Sequence, residues 1–387
     1  AALELLQGED FPLRVWEHAL LPTRVEHYQR EWLDQLGLSG EIVWTVFDPP
    51  EGDAVRPGRL GVALRENRGW LRQAPEGGSE LPPRAKHVLR QLQVRGASFV
   101  QDLARAIPLS SVETLEVLWA LFQAGLVTPD SFSAVAAAAA PARRAGTPGS
   151  ARRRRRGAFR GFQASVPAVG RWSALGDEDG LSPDERDEAL AQLLLARHGV
   201  LARELARSDW SRLRHTLLRM EYGGAVVRGY FVEGLSGEQY ALAEALPALE
   251  ARPTRAEPHV LVNMVDPANL WGSVFALVRP DGARLTAPRI PQSWLVCRAG
   301  RPLLLVEGQG RALTPLAGWE RVDLPGALRA LQSLVDRPLL LRPVRRLEVL
   351  TWDGRPVRQT EAFEALVAAG FTADGPRLTW DGHPGPR

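Results

Sequence analysis

Lysine occurs once, at Lys86, and cysteine once, at Cys297, in a chain of 387 residues. Each scarcity excludes a class of chemistry. A phosphate-binding loop of the G-x-x-x-x-G-K-[ST] type needs its lysine to neutralise the β- and γ-phosphates. Lys86 stands between Ala85 and His87, so the pattern is absent and the chain is not by itself an ATPase motor. A single cysteine excludes an internal disulfide and fits a reducing, cytoplasmic compartment. The seven histidines are scattered, with no H-E-x-x-H and no C-x-x-C, so no zinc or other metal site is expected. No G-x-S-x-G elbow is present. No apolar run approaches the ~18 residues of a membrane span, and no signal peptide is visible. The chain opens with Ala1 inside an apparent helix and is expected to be a piece of a longer protein.

Arginine supplies the remaining 47 basic residues. With high alanine, glycine and proline, that bias reads first as a GC-rich genome, although arginine also binds phosphate bidentately. Net charge is only +3, but it is uneven. Between Ser131 and Gly176 there are nine arginines and no acid, which leaves −6 for the remainder. The length predicts about two to four domains.

Residues 1–75 read as helices followed by two β-rich stretches, Ile42–Phe47 and Leu60–Leu64, with a Pro/Gly loop between them, the pattern of a wing hairpin. Trp44 in the first stretch is assigned to packing rather than base stacking. Residues 82–130 read as a smaller helical unit with helices over Arg84–Val94, Phe99–Ala106 and Ser111–Ala124, the last capped by Ser110 or Ser111 and stopped at Gly125. Residues 131–170 are alanine-rich, then Pro/Gly/Ser-rich, and contain the run Arg152, Arg153, Arg154, Arg155 and Arg156. This reads as a flexible linker whose arginines attract phosphate or are simply solvated.

Residues 171–252 hold the clearest winged-helix pattern. Ser182-Pro-Asp-Glu185 opens a helix in N-cap, Pro-at-N1 order. A second helix is predicted over Val200–Arg207, and a third, capped by Asp209, over Asp209–Glu221. On that third helix Trp210, Leu213, Leu217 and Met220 share an apolar face. Arg212, His215, Thr216 and Arg219 are predicted to face outward, as a recognition helix presents them to a groove, and Arg228 is predicted to lie on the wing near a backbone phosphate. The equivalent helix of the 82–130 unit carries Glu113 and Glu116 instead, which would repel phosphate. Residues 256–345 alternate short strands and turns, suggesting a small β-barrel. Residues 346–387 read as a terminal α/β piece, with two Thr-Trp-Asp-Gly copies at 351–354 and 379–382 expected as paired turns. The fold class is therefore α+β, with tandem winged helices followed by a small β-barrel and a terminal α/β piece.

Six ordered motifs resemble one family. Met220–Leu235 resembles M-E-x-x-G-x-x-R-R-G-Y-F-V-E-G-L, a signature of the C-terminal half of the large helicase-related (Lhr) proteins. Leu21–Val25 resembles LP-x-R-V. Arg95–Phe99 with Leu118–Thr128 resembles RGASF and ALW-x-L-x-x-A-G-x-V-T, with Pro129 where the family has Asn. Gly170–Ser173 is GRWS, and Asp266–Gly272 resembles DPAN-x-x-G. Leu303–Leu313 resembles L-x-x-E-R-G-G-R-x-L, with no arginine directly after Glu307. The resemblance covers nearly the whole chain outside the linker. It implies tandem winged helices and a barrel, in an architecture similar to DNA glycosylases of the AlkZ and YcaQ type. It also implies DNA as partner, single-stranded or in a hybrid duplex, together with an N-terminal helicase core. ATP and magnesium would belong to that motor, not to this chain.

Two functions from different classes follow. The first is a nucleic-acid-binding module of a DNA-repair helicase. The second is a uracil-type DNA glycosylase, which needs a carboxylate to position water and stabilise an oxocarbenium-like sugar. Asp266, Glu307, Asp353 and Asp381 are the candidate carboxylates, and Asp381 is preferred because neighbouring Trp380 could stack a base. A structural, homo-oligomeric module is the third possibility.

Overall fold

The computed structural model describes residues 1–47, 59–71, 81–139, 170–176, 180–206, 209–251, 257–338 and 341–382. Two compact units emerge, one of residues 1–13 and 27–186, the other of residues 14–26 and 187–387. Among the described residues no helix is long and apolar enough to cross a membrane. The arginine run 152–156 lies outside the described residues.

In the first unit Ile42–Thr45 pairs antiparallel with Arg59–Leu64, which also takes the short strand Phe11–Pro12 on its other edge. All four residues of Ile42–Thr45 are buried, so Trp44 is core, packed 5.1 Å from the Phe132 ring. The helix Glu31–Ser39 passes so close to the following module that a Cβ on Gly37 would lie 2.6 Å from the Asp130 carbonyl oxygen. Asp34 on that helix accepts the Phe132 backbone N–H at 2.7 Å, supplying a cap to the helix Phe132–Ala139.

Three helices follow, Pro83–Arg95, Val100–Ala106 and Ser111–Gln123. The last opens with a full capping box, in which Ser110 accepts from the Glu113 N–H and the Glu113 carboxylate accepts from the Ser110 N–H. Glu113 thus serves as a cap while its side chain stays half exposed, and its carboxyl is held below the usual range by those Ser110 bonds. Past Gly125, Val127–Pro129 pairs antiparallel with Trp172–Ala174. The GRWS tryptophan is therefore a fully buried strand residue of this module, not the start of the next. Three helices and a hairpin make it a second winged-helix-like unit.

The later winged-helix module opens with the helix Pro183–His198, whose Ser182/Glu185 capping pair matches the expected start. Val200–Leu201, predicted as helix, is a short strand, and the helix is confined to Arg203–Ala206. Both residues of the strand are buried and pair with Tyr240 and Ala241, so the sheet overrides local propensity.

Beyond residue 257 the strands run Arg355–Pro356, Thr351–Trp352, Ala312–Pro315, Arg301–Glu307, Trp294–Arg298, His259–Asn263 across one six-stranded sheet. No closed barrel forms among the described residues, because the outer strands do not pair with each other. The sheet is instead covered on both faces. Trp294 and Val296 pack with the helix Leu324–Gln332, while Leu295 and Cys297 pack with Met264, Leu277 and Leu316. Burial pushes the Cys297 thiol up to about 12, which leaves it inert. Leu347–Val349, Arg377–Trp380 and Thr372–Asp374 form a separate three-stranded sheet. The two Thr-Trp-Asp-Gly copies consequently fall in different sheets and do not pair as turns.

Candidate nucleic-acid interface

The helix Trp210–Tyr222 is positioned by its apolar stripe. Leu213, Leu217 and Met220 enter one core with Leu195, Leu201, Val226 and Tyr240, and Trp210 packs at its edge. Thr216, expected to face outward, is only 3 % exposed. It lies three residues after Leu213 and four before Met220, so it belongs to the i, i+3, i+4, i+7 stripe and cannot reach a groove. Arg212, His215 and Arg219 are exposed, as expected.

Gly223 and Gly224 end the helix, Gly224 with φ +74°, and the chain turns into Val226–Gly229, which pairs with Gln239–Leu242. The connecting wing is held from inside. Gln239, almost fully buried, accepts from the N–H groups of Phe231 (2.9 Å) and Val232 (2.8 Å) and donates to the Val232 carbonyl at 2.9 Å. Glu204 accepts from the Ser236 N–H at 2.9 Å and from its hydroxyl. Neither Gln239 nor Glu204 stands out in the sequence, because their roles depend on a loop whose course is visible only in three dimensions.

The basic face is a network of ion pairs. Arg212 donates to Asp187 and, at 2.8 Å, to Asp209. Asp209 consequently makes no side-chain cap bond to the helix it precedes, which departs from its expected role. Arg214 donates to Glu238, and Arg228 donates to Glu221 at 3.1 Å and to Glu238 at 3.3 Å. The bond from Glu238, with the Glu221 charge, raises the Arg228 pKa. Burial opposes ionisation of Glu238, yet Arg214 and Arg228 together hold its carboxyl below the usual range. The side chains of Arg212, Arg214 and Arg228 remain nearly half exposed. Reading the helix for a single outward face passes over Arg214, although the alternation of arginines along it carries the signal.

The candidate carboxylates separate cleanly. Asp266 is buried and clamped by Arg24 through two bonds of 2.7 and 2.6 Å, with a third from the Ala268 N–H at 2.8 Å. It joins the Leu21–Val25 and Asp266–Gly272 motifs, 242 residues apart, and leaves no face for water. Asp353 sits in a turn at φ +49° and accepts from Arg279. Glu307 is half-buried at the end of its strand. Asp381 is exposed and follows the strand Arg377–Trp380 directly. The register Leu347↔Trp380 puts it opposite Arg346, whose guanidinium is engaged by Glu348. The Trp380 ring rests against Phe371 at 5.9 Å and against Gly370.

Comparison with known proteins places these segments. Residues 180–260 and residues 1–60 each match a family model described as large helicase-related protein, winged-helix domain. The Lhr helicase/uracil glycosylase of Escherichia coli is 28 % identical over 98 % of this chain and 26 % of its own length. The Lhr helicase/probable uracil glycosylase of Mycolicibacterium smegmatis is 31 % identical over 87 % of this chain and 24 % of its own length. The chain thus spans about a quarter of the curated relatives it matches. Among solved structures, Streptomyces sahachiroi DNA glycosylase AlkZ aligns over 91 % of this chain and 92 % of its own, at a TM-score of 0.47 and 15 % identity.

Proposed function

We propose that this chain, which carries two winged-helix domains of the Lhr family, is the nucleic-acid-binding C-terminal module of an Lhr-type ATP-dependent DNA helicase acting in DNA repair. The observation that carries this reading is the arrangement of Arg212, Arg214 and Arg228 on one helix and its wing, each held half exposed by neighbouring carboxylates. Exposed ion pairs of this kind contribute only about 0–1 kcal/mol. A phosphodiester can therefore replace the carboxylate, and guanidinium binds phosphate bidentately. The acids keep the arginines extended and oriented until nucleic acid arrives. The motor, with its ATP and magnesium, is the expected neighbour of this module. The test is binding of a labelled single strand across a salt series. Wild type should bind with a steep salt dependence, and Arg212→Ala, Arg214→Ala, Arg228→Ala together should flatten it. An unchanged slope in the triple variant overturns the assignment.

A second reading, a uracil-type glycosylase, draws on Asp381, the one candidate carboxylate that is solvent-exposed and makes no ion pair among the described residues. A carboxylate there could hold the attacking water or face the developing oxocarbenium ion. Incubation with a uracil-containing strand, followed by alkaline cleavage of abasic sites, tests it. Scission lost in Asp381→Asn supports the role; scission that persists removes Asp381; no scission at all leaves a binding module.

A further inference from the structure

Large aromatic side chains normally leave water, since each can bury some 150–250 Å². Two tyrosines of the third winged helix do the opposite. Tyr222, the last residue of the helix Trp210–Tyr222, is 92 % exposed, and Tyr230, directly after the strand Val226–Gly229, is 84 % exposed. By contrast Tyr240, on the neighbouring strand, is fully buried in the same module. The exposed pair adds nothing to the core, so its place in the open needs another account.

The surroundings of the two rings are specific. Between them, a Cβ added at Gly224 would meet nothing within 4 Å, whereas one at Gly229 would lie 2.8 Å from the Phe231 ring. The open backbone is the turn beside Tyr222, where a flat ligand can approach. Val227, also exposed, adds apolar surface. Arg228 bridges the two tyrosines along the chain, because its guanidinium reaches back to Glu221, the residue before Tyr222. This ion pair ties the helix end to the strand, so both rings stand on a fixed frame. A tyrosine has only two side-chain torsions, and little freedom remains to lose on binding.

We infer that Tyr222 and Tyr230 form a stacking platform for unpaired bases of a single-stranded nucleic acid, with Arg228 engaging the backbone between them. The inference rests on the binding reading above and deepens it. Aromatic faces interleaved with a cation are what sequence-tolerant single-strand recognition requires, because every base has a π-face. In a duplex the bases are already stacked and offer no such face, except at ends.

The test uses the whole chain, a labelled oligothymidylate, and a relaxed, covalently closed circular duplex, which has neither ends nor unpaired loops. Tyr222→Ala and Tyr230→Ala should each weaken single-strand binding roughly five- to hundredfold. Tyr→Phe at either position should restore it, and the salt slope should not move, since no charge is removed. Melting curves should match wild type, because neither ring is packed. Equal weakening on the closed duplex overturns the platform, as does unchanged single-strand affinity in the double alanine variant. A loss of self-association in sedimentation with unchanged affinity also overturns it, assigning the surface to a second copy. If wild type itself binds no strand, the binding reading falls first and separately.

Discussion

Two modules of this chain share a plan and differ in chemistry. Pro83–Arg95, Val100–Ala106 and Ser111–Gln123 lead into a hairpin of Val127–Pro129 and Trp172–Ala174. Pro183–His198, Arg203–Ala206 and Trp210–Tyr222 lead into a hairpin of Val226–Gly229 and Gln239–Leu242. The third helix is 13 residues long in both. In the earlier module it carries no arginine; of its two acids, Glu113 closes a capping box and lies 3.7 Å from Arg84, and Glu116 is exposed. In the later module it carries Arg212, Arg214 and Arg219, and the acids around it hold guanidinium groups instead. The scaffold is set by a buried stripe; what the exposed face can bind is set by whether the third helix itself carries arginines.

The shared scaffold predicts the largest effect. Leu118 and Leu217 are both fully buried at the middle of their helices. Leu118→Ala and Leu217→Ala should each cost about 2–5 kcal/mol in chemical denaturation. A loss under about 1 kcal/mol at one site alone would show that the two helices are not equivalent supports.

The difference in chemistry predicts the next. Removing Arg212, Arg214 and Arg228 should lower the salt slope of single-strand binding by about 0.7 for each phosphate no longer neutralised. Placing a charge on the other helix, Glu116→Arg, should leave that slope unchanged. A slope that steepens as much in Glu116→Arg as it falls in the triple variant would erase the distinction between the modules.

A finer test releases arginines rather than removing them. Glu238 holds both Arg214 and Arg228. Glu238→Gln should raise single-strand affinity about two- to fivefold, the equivalent of an exposed ion pair no longer in competition, while lowering stability by less than about 1 kcal/mol. Its pH signature is fixed in sign. The folded carboxyl titrates below its unfolded value, so its stabilisation is complete above the usual glutamate range and drains away as pH falls through the lower folded value. Glu238→Gln should lack that component of acid destabilisation. Unchanged affinity would mean the acids do not compete with phosphate.

Much of this is legible from residue order. Helical periodicity marks the third helix of each module within a residue or two, and the Ser110 cap and the Ser182–Glu185 pair are local signals that local chemistry decides. Thr216 reads as outward because it is polar, until its spacing from Leu213 and Met220 is counted. Asp266 reads as a free carboxylate because its partner, Arg24, is 242 residues distant. The pairing of Val127–Pro129 with Trp172–Ala174 is hidden by the long stretch between them, which composition alone marks as a linker. The ladder order of the six-stranded sheet, with its parallel pair Ala312–Pro315 and Thr351–Trp352, is likewise decided by tertiary packing.

The smallest predicted effect isolates the residues at the two helix starts. Ser110 accepts the Glu113 N–H at 3.2 Å, so Ser110→Ala should cost about 1 kcal/mol through an unsatisfied first turn. Asp209 occupies the same position in the later module but bonds Arg212 instead of the backbone. Asp209→Ala should therefore cost less than half as much, because Arg212 keeps its bond to Asp187 and no backbone donor loses a partner. The same variant leaves Arg212 with one carboxylate fewer, so single-strand affinity should rise slightly where Ser110→Ala leaves it alone. Equal destabilisation by the two substitutions would mean that Asp209 caps its helix in solution after all. The contrast between a helix start whose first residue caps the backbone and one whose first residue holds an arginine would then fail at the position where it is most local.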